Sequence, residues 1–185
     1  MREVMTIDFE NDVINESAEV LYTSSSNVAV DKEAVAALES LAPHTSRGRL
    51  RLCAHRSADD DVHEMFIIHP RGAYVPPHKH LGKSESILVL SGTCEHVLFN
   101  DEGHITAKRK MGDFASGLDF FFRMSRPVFH SLVISSDQLV FLEITKGPFE
   151  RRDTVIAPWA PEENSDGAID HFFAEIRAWG DLCGS

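Results

Sequence analysis

Cysteine, basic charge and long apolar runs are what this sequence has little of. Three cysteines, Cys53, Cys94 and Cys183, stand far apart and form no CxxC pair. That excludes a zinc knuckle and leaves a disulfide framework unsupported. Eighteen Lys and Arg against 29 Asp and Glu give a formal net charge of -11. A phosphate backbone needs a basic patch, so no nucleic-acid partner is expected. No apolar run approaches the roughly 20 residues of a membrane helix, so no membrane partner is expected either. The N-terminus, MREVMTIDFENDV, carries acids where a signal peptide would be apolar. The chain reads as cytoplasmic and reducing.

What is present is enough for one domain. A chain of 185 residues can bury about 70% of its unfolded surface and hold a core without staples. Residues 1–45 read as an N-terminal extension of edge strands (Val20-Leu21-Tyr22 and Val28-Ala29-Val30, around the Ser24-Ser25-Ser26 loop) and one helix. Asp31 is its N-cap, Val35, Leu38 and Leu41 its stripe, and Pro43 its stop. Over 46–150, short apolar runs recur: Met65–Ile68, Ile87–Leu90, His96–Phe99, Phe120–Phe122, Ser131–Ile134 and Leu139–Ile144. Turn signals separate them, with Asn100–Gly103 reading as a hairpin loop. Many short strands with regular turns indicate a mainly β fold, a sandwich or barrel. Residues 151–185 read as a loop and a helix with Ile169, Phe172, Phe173, Ile176 and Trp179 on one face and Gly180 as its stop.

The chemistry concentrates in GAYVPPHKHLGKSESILVLSG, residues 72–92. His78 and His80 are two apart, so on a strand both rings project from one face. Glu85 opens the next strand beyond Leu81-Gly82, where its carboxylate can meet them. His130, at the head of another apolar run, is the natural fourth ligand. Imidazole with carboxylate suits one divalent ion of the Zn, Fe, Mn or Ni kind rather than a soft thiolate metal. The other histidines, His44, His63, His69, His96, His104 and His171, read as ordinary surface or core residues. Cys53 and Cys94 read as small buried hydrophobes, Phe120–Phe122 as core and barrel rim, and Asp59–Asp61 as a solvated loop.

Gly72, His78, His80, Glu85 and Gly92 fill every position of a pattern that resembles the first cupin motif: Gly, five residues, His-x-His, four residues, Glu, six residues, Gly. The second motif, Pro-x-Gly-x-x-His, is met by Ser125-Arg126-Pro127-Val128-Phe129-His130, which keeps the histidine and replaces Pro by Ser125 and Gly by Pro127. From about Thr45 to Glu163 the chain resembles cupin-fold metalloproteins of the WbuC type. The resemblance is carried by Arg47-x-Arg49, His55, Tyr74–His80, Lys83-x-Glu85, Glu143, Gly147-Pro148-Phe149 and Trp159–Glu162. It implies a jelly-roll (double-stranded β-helix) barrel with short flanking helices at both ends, a bound metal, and a setting near surface-polysaccharide genes. It also places His55 and Lys83 at the pocket mouth, as candidate catalytic residues.

Three imidazoles and one carboxylate leave two positions open on an octahedral metal. The expected function is an enzyme acting on a sugar or sugar-nucleotide type of small molecule, with the metal as Lewis acid in isomerisation or epimerisation. Arg47, Arg49 and Lys83 could meet its phosphate or carboxylate. An iron-dependent dioxygenase and a non-catalytic small-ligand binding cupin stay open beside it, since one fold hosts all three. Strands before Asp31 have no partner in the barrel pattern, so pairing with a neighbour's sheet in a homodimer is expected.

Overall fold

The structure is a computed structural model, which describes residues 6–180; Cys183 lies outside them. The strands are β1 (Val13–Ser17), β2 (Val20–Thr23), β3 (Leu50–Cys53), β4 (Val62–Pro70), β5 (His78–His80) and β6 (Glu85–Ser91). They continue as β7 (Thr93–Phe99), β8 (Ile105–Gly112), β9 (Phe121–Met124), β10 (Phe129–Ile134), β11 (Gln138–Lys146) and β12 (Thr154–Ile156). Two helices flank them, α1 (Lys32–Leu41) and α2 (Asp166–Ala178). Among the described residues no helix is long and apolar enough to cross a membrane.

The strands form two sheets, β1-β2-β3-β4-β11-β6-β9 and β12-β5-β10-β7-β8. The eight strands from β4 to β11 divide between them in the orders 4-11-6-9 and 5-10-7-8, which is the jelly roll. The fold is therefore the mainly β cupin barrel that the motif spacing implies. Tight turns make it possible. Between β6 and β7, Gly92 has φ 84° and a Cβ there would stand 2.3 Å from the Gln138 carbonyl oxygen, so only glycine fits.

Each sheet is covered on both faces, which explains why the strands read as continuous apolar runs rather than strict alternation. On β11, Leu139 and Phe141 point between the sheets into a core with Met65, Ile87, Val89, Leu132 and Ile134. Val140, one residue over, points outward beneath α1 with Leu38, Leu50, Leu52 and Ile68. A third core sits under α2, where Phe172, Phe173 and Ile176 meet Val97, Phe99 and Phe129. The order is helix, sheet, sheet, helix. Leu38 and Ile176 are fully buried, and each such side chain contributes roughly 2 kcal/mol from area alone. Asp31 caps α1 by accepting from the Ala34 N–H at 2.9 Å.

The N-terminal region departs from expectation in two ways. Val28–Val30 is not a strand; only Ala29 forms an isolated bridge, with Thr6. The β1–β2 hairpin instead turns before β2, and β2 joins β3 in parallel with Val20 opposite Arg51 and Tyr22 opposite Cys53. These strands thus satisfy their ladder within the chain. Pairing with a neighbour's sheet would have to use the outer edge of β1. Four strands also went unread in the sequence: β1, β3, β8 and β12. They are short or, like Ile105–Gly112, carry Lys108, Arg109 and Lys110 on a sheet edge.

Candidate metal centre

Three of the four expected ligands come from one sheet and the fourth from the other. His78 and His80 share the inner face of β5. His130 lies directly opposite His78 in the β5–β10 pairing, which brings the two rings to 4.4 Å between centroids. Glu85 opens β6 across the barrel, delivered by the Leu81-Gly82 turn that carries the chain from one sheet to the other. One donor atom from each of His78, His80, Glu85 and His130 lies within 4.8 Å of all the others. Glu85 and His130 are both 4% exposed. The Ser125–Pro127 substitutions fall in the exposed loop before β10 and leave His130 inside the barrel.

The hydrogen bonds behind these rings aim them. His78 Nδ1 lies 2.8 Å from the Pro76 carbonyl oxygen and His130 Nδ1 lies 3.0 Å from that of Val128. A carbonyl only accepts, so both Nδ1 atoms carry the proton and both Nε2 atoms turn a lone pair inward. His80 Nδ1 meets Thr154 Oγ1 at 3.1 Å. At the centre, Glu85 Oε2 lies 3.0 Å from His80 Nε2 and Oε1 lies 3.4 Å from His130 Nε2. Oε2 is nevertheless buried without a hydrogen bond. Lone pairs converging on a buried carboxylate are repulsive unless a cation sits among them. A donor set of three imidazoles and one carboxylate is what a divalent ion of the Zn, Fe, Mn or Ni kind takes. The residues fit such an ion.

A proton is the other cation that could serve. Burial disfavours the charged form of His130, but Glu85 outweighs it and raises the pKa. Burial likewise works against ionised Glu85, and His130 and His80 overcome it, holding the carboxyl well below its usual range. His78 is pushed down to about 4, first by burial and then by His130.

The structure brings further polar groups to the same interior, which sequence reasoning passed over. Glu143 points inward from β11, in one row across the sheet with Tyr22, Cys53, Met65, Ile87 and Phe122. Glu85 lies one rung nearer the rim, opposite Thr145. The Glu143 carboxyl is pushed up to about 8 by burial and by Glu85, against Arg51 and His130. His96, read from sequence as an ordinary histidine, is buried on β7 with both ring nitrogens unpartnered. It stacks on His130 at 5.6 Å and contacts Phe122, and burial, then His130, pushes its pKa down to about 3. Inward parity on β7 and β11 was the available signal, but it required knowing both partners of each strand.

A narrow pocket of about 10 Å³ reaches the cluster from the rim, lined by His80, Lys83, Glu85, Met124, Arg126 and His130, among others. That is room for about one water. Lys83 therefore stands at the mouth, but its ammonium donates to the Pro148 carbonyl and lies 3.6 Å from Asp153. His55 does not line this pocket. It is buried, stacked on His63 at 4.1 Å and edge-on to Tyr22 at 5.4 Å, with its Nδ1 on the Glu64 backbone. Arg47 and Arg49 lie at the opposite end of β3, engaged by Glu19. Cys53 and Cys94 are buried, and desolvation pushes their thiols up to about 11 and about 12. Of the Phe120–Phe122 run, Phe122 points inward while Phe120 and Phe121 are exposed.

A family model for a domain of unknown function (DUF6016) matches residues 30–111, which include His78, His80 and Glu85 and stop short of His130 and Glu143. No curated protein matches. Among solved structures, protein SO0799 from Shewanella oneidensis is similar with 15% identity and a TM-score of 0.49, covering 72% of this chain and 84% of that one. DMSP lyase DddQ from Ruegeria pomeroyi is similar with 19% identity and a TM-score of 0.47, covering 62% and 54%. Capsular polysaccharide assembling protein CapF from Staphylococcus aureus is similar with 16% identity and a TM-score of 0.46, covering 58% and 31%. Several other matched structures are longer than the segment they share, and this chain spans 51%, 24% and 30% of three of them. The fold assignment rests on the strand order of the barrel itself: three imidazoles from one sheet of a cupin jelly roll face a carboxylate from the other.

Proposed function

We propose that His78, His80, Glu85 and His130 hold one divalent metal ion and that the protein is an enzyme moving a proton on a small, oxygen-bearing molecule of the carbohydrate type. The observation that carries this reading is Glu143, a second carboxyl inside the barrel that belongs to no ligand set. A bound divalent ion supplies Lewis-acid polarisation of a ligand oxygen. The chain supplies the rest. The Pro76 and Val128 carbonyls and the Thr154 hydroxyl fix the three rings. Glu143, on the row below Glu85, takes and returns a proton on the carbon beside that oxygen. Its place on that row puts a carboxyl with no ligand duty of its own beside the ligand cluster. The apolar floor of Phe141, Val89 and Leu139 excludes bulk water. The carbohydrate class follows the WbuC-type resemblance.

The test loads the full chain with Zn(II) or Mn(II) and follows exchange of carbon-bound protons with D₂O, by NMR, across sugars and sugar phosphates. Exchange that disappears in Glu143→Gln while metal content is kept supports the reading. Absence of exchange in every substrate, with O₂ uptake on Fe(II) loading that survives Glu143→Gln, replaces it with the dioxygenase. Tight binding of an unchanged ligand without either replaces it with the binding module.

A further inference from the structure

Every other largely buried cation in the described structure has a carboxylate at hand. Arg49 has Glu19, Lys79 has Asp101, Lys83 has Asp153 and Lys108 has Glu95. Arg51 does not. It alternates on β3 with Leu50 and Leu52, which point outward beneath α1, so its side chain enters the space between the sheets. Its Nη1 reaches the Met65 thioether at 3.7 Å, a weak acceptor, and its Nε is buried with no partner at all. The backbone of Arg51 lies opposite Ile67. The contact with Met65 shows the guanidinium rising from there to the row of Tyr22, Cys53, Met65 and Glu143. Among the described residues no carboxylate comes within 4.0 Å of it. Buried charges are ordinarily paired, because leaving one alone in a low-dielectric interior costs several kcal/mol.

We propose that Arg51 is the anchor for an oxyanion of the ligand, a carboxylate or phosphate, so that the molecule taken into this barrel is an anion. A guanidinium presents a planar fork that matches either group with two hydrogen bonds. The Tyr22 side chain projects from the neighbouring strand beside it. At the rim, exposed Arg126 has no carboxylate partner among the described residues and lines the only route described above to the ligand cluster. On a chain of net charge -11, a cation at the entrance and another inside favour entry of an anion. Glu143 does not fill the role of counter-ion. Among the described residues it comes no closer than 4.0 Å to Arg51 and makes no ion pair with it. Arg51 is not in the lining of the pocket of about 10 Å³, so the assignment rests on the proposed function, in which a ligand reaches the barrel interior; it does not rest on a metal being bound there.

The experiment is calorimetric titration of the full chain with malonate, inorganic phosphate and neutral malonamide, alongside a separate Zn(II) titration, for wild type and Arg51→Met. Wild type binds malonate or phosphate and ignores malonamide. In R51M that binding weakens roughly 10- to 100-fold, the loss expected of a charged hydrogen-bonded anchor, while Zn affinity is unchanged. The melting temperature of R51M stays level or rises, because an unpaired buried charge is replaced by an apolar chain. Equal anion binding by both proteins overturns the proposal, as does absence of anion binding to wild type. A large fall in melting temperature for R51M also overturns it, since that is the signature of an Arg51–Glu143 ion pair. Should R51M fail to fold, Arg51→Lys keeps the charge without the fork; undiminished malonate binding there overturns the proposal too. A wild type that binds malonate but not Zn leaves this assignment standing and removes the metal reading.

Discussion

Replacing Glu85 by Gln separates the metal site from the fold that carries it. Gln keeps the shape of Glu85, and its amide can donate to the Nε2 of His80, which stands 3.0 Å from Oε2. The metal-free variant should therefore melt close to wild type. Its response to metal should not match. A ligand at a hundredfold excess over its Kd stabilises the folded state by about 2.7 kcal/mol. For a chain of 185 residues at about 2–4 °C per kcal/mol, that is a rise of roughly 5–11 °C on adding Zn(II) to wild type. Losing the one anionic ligand weakens binding by at least the roughly 100-fold upper value seen for supporting residues. The same Zn concentration then only equals Kd, leaving about 0.4 kcal/mol and a rise of about 1–2 °C. Differential scanning fluorimetry of the two proteins, chelated and reloaded, makes the measurement. Equal Zn-induced shifts in wild type and E85Q would refute the reasoning, because the ion would then be bound elsewhere.

Two further outcomes follow from groups around the barrel. His69 on β4 has a buried, unpartnered Nδ1, and burial followed by Arg49 and Arg51 pushes its pKa down to about 3 from 6.5. Its folded pKa lies below the unfolded one, so its contribution is complete above pH 6.5 and is lost as pH falls toward about 3. Metal-free protein should lose roughly 1–3 kcal/mol from this residue between neutral pH and pH 4, and His69→Leu should flatten that slope in urea melts. Thr154→Val removes the hydroxyl behind His80 Nδ1; Zn affinity should fall roughly 10-fold with the melting temperature of metal-free protein unchanged.

Much of the barrel was legible because covering both faces of a sheet leaves a mark on composition. Ile87–Leu90 and Leu139–Ile144 are apolar without strict alternation, since Val140 packs under α1 while Phe141 packs between the sheets. The ligand set was legible because two histidines on one strand face, followed at fixed spacing by a glutamate and framed by glycines, is a local pattern. His130 was reachable because it heads an apolar run. The rest depended on pairing, which sequence does not print. Glu143 belongs to the site because β11 is held between β4 and β6 with Thr145 opposite Glu85. His96 belongs because β7 pairs with β10 so that His96 falls opposite Leu132, one rung below His130. Arg51 carries no local pattern that singles it out, yet alternation on β3 turns it inward. Arg47 is held outside by Glu19.

The interior of the barrel is divided along its length, and the division explains why the chemistry sits where it does. Toward one end, Leu139, Phe141, Ile134 and Val89 close the space with apolar side chains, with His69 opposite Leu139 as the polar exception. Toward the other, the inner faces carry His78, His80, His130, Glu85, His96, Glu143 and Arg51. Several of these leave a buried nitrogen or oxygen without a partner: Glu85 Oε2, both nitrogens of His96, and Arg51 Nε. Each such group costs about 1–3 kcal/mol when left unsatisfied, against a net stability of about 5–15 kcal/mol for a typical domain. A barrel built only to be stable would replace them with the leucines and phenylalanines of its other half. Their unmet hydrogen bonds include an acceptor at the point where the ligand atoms converge and a donor, Arg51 Nε, without a partner among the described residues. The first arrangement suits a cation and the second an anion. On the reading proposed above, the two would hold a negatively charged molecule by its two ends.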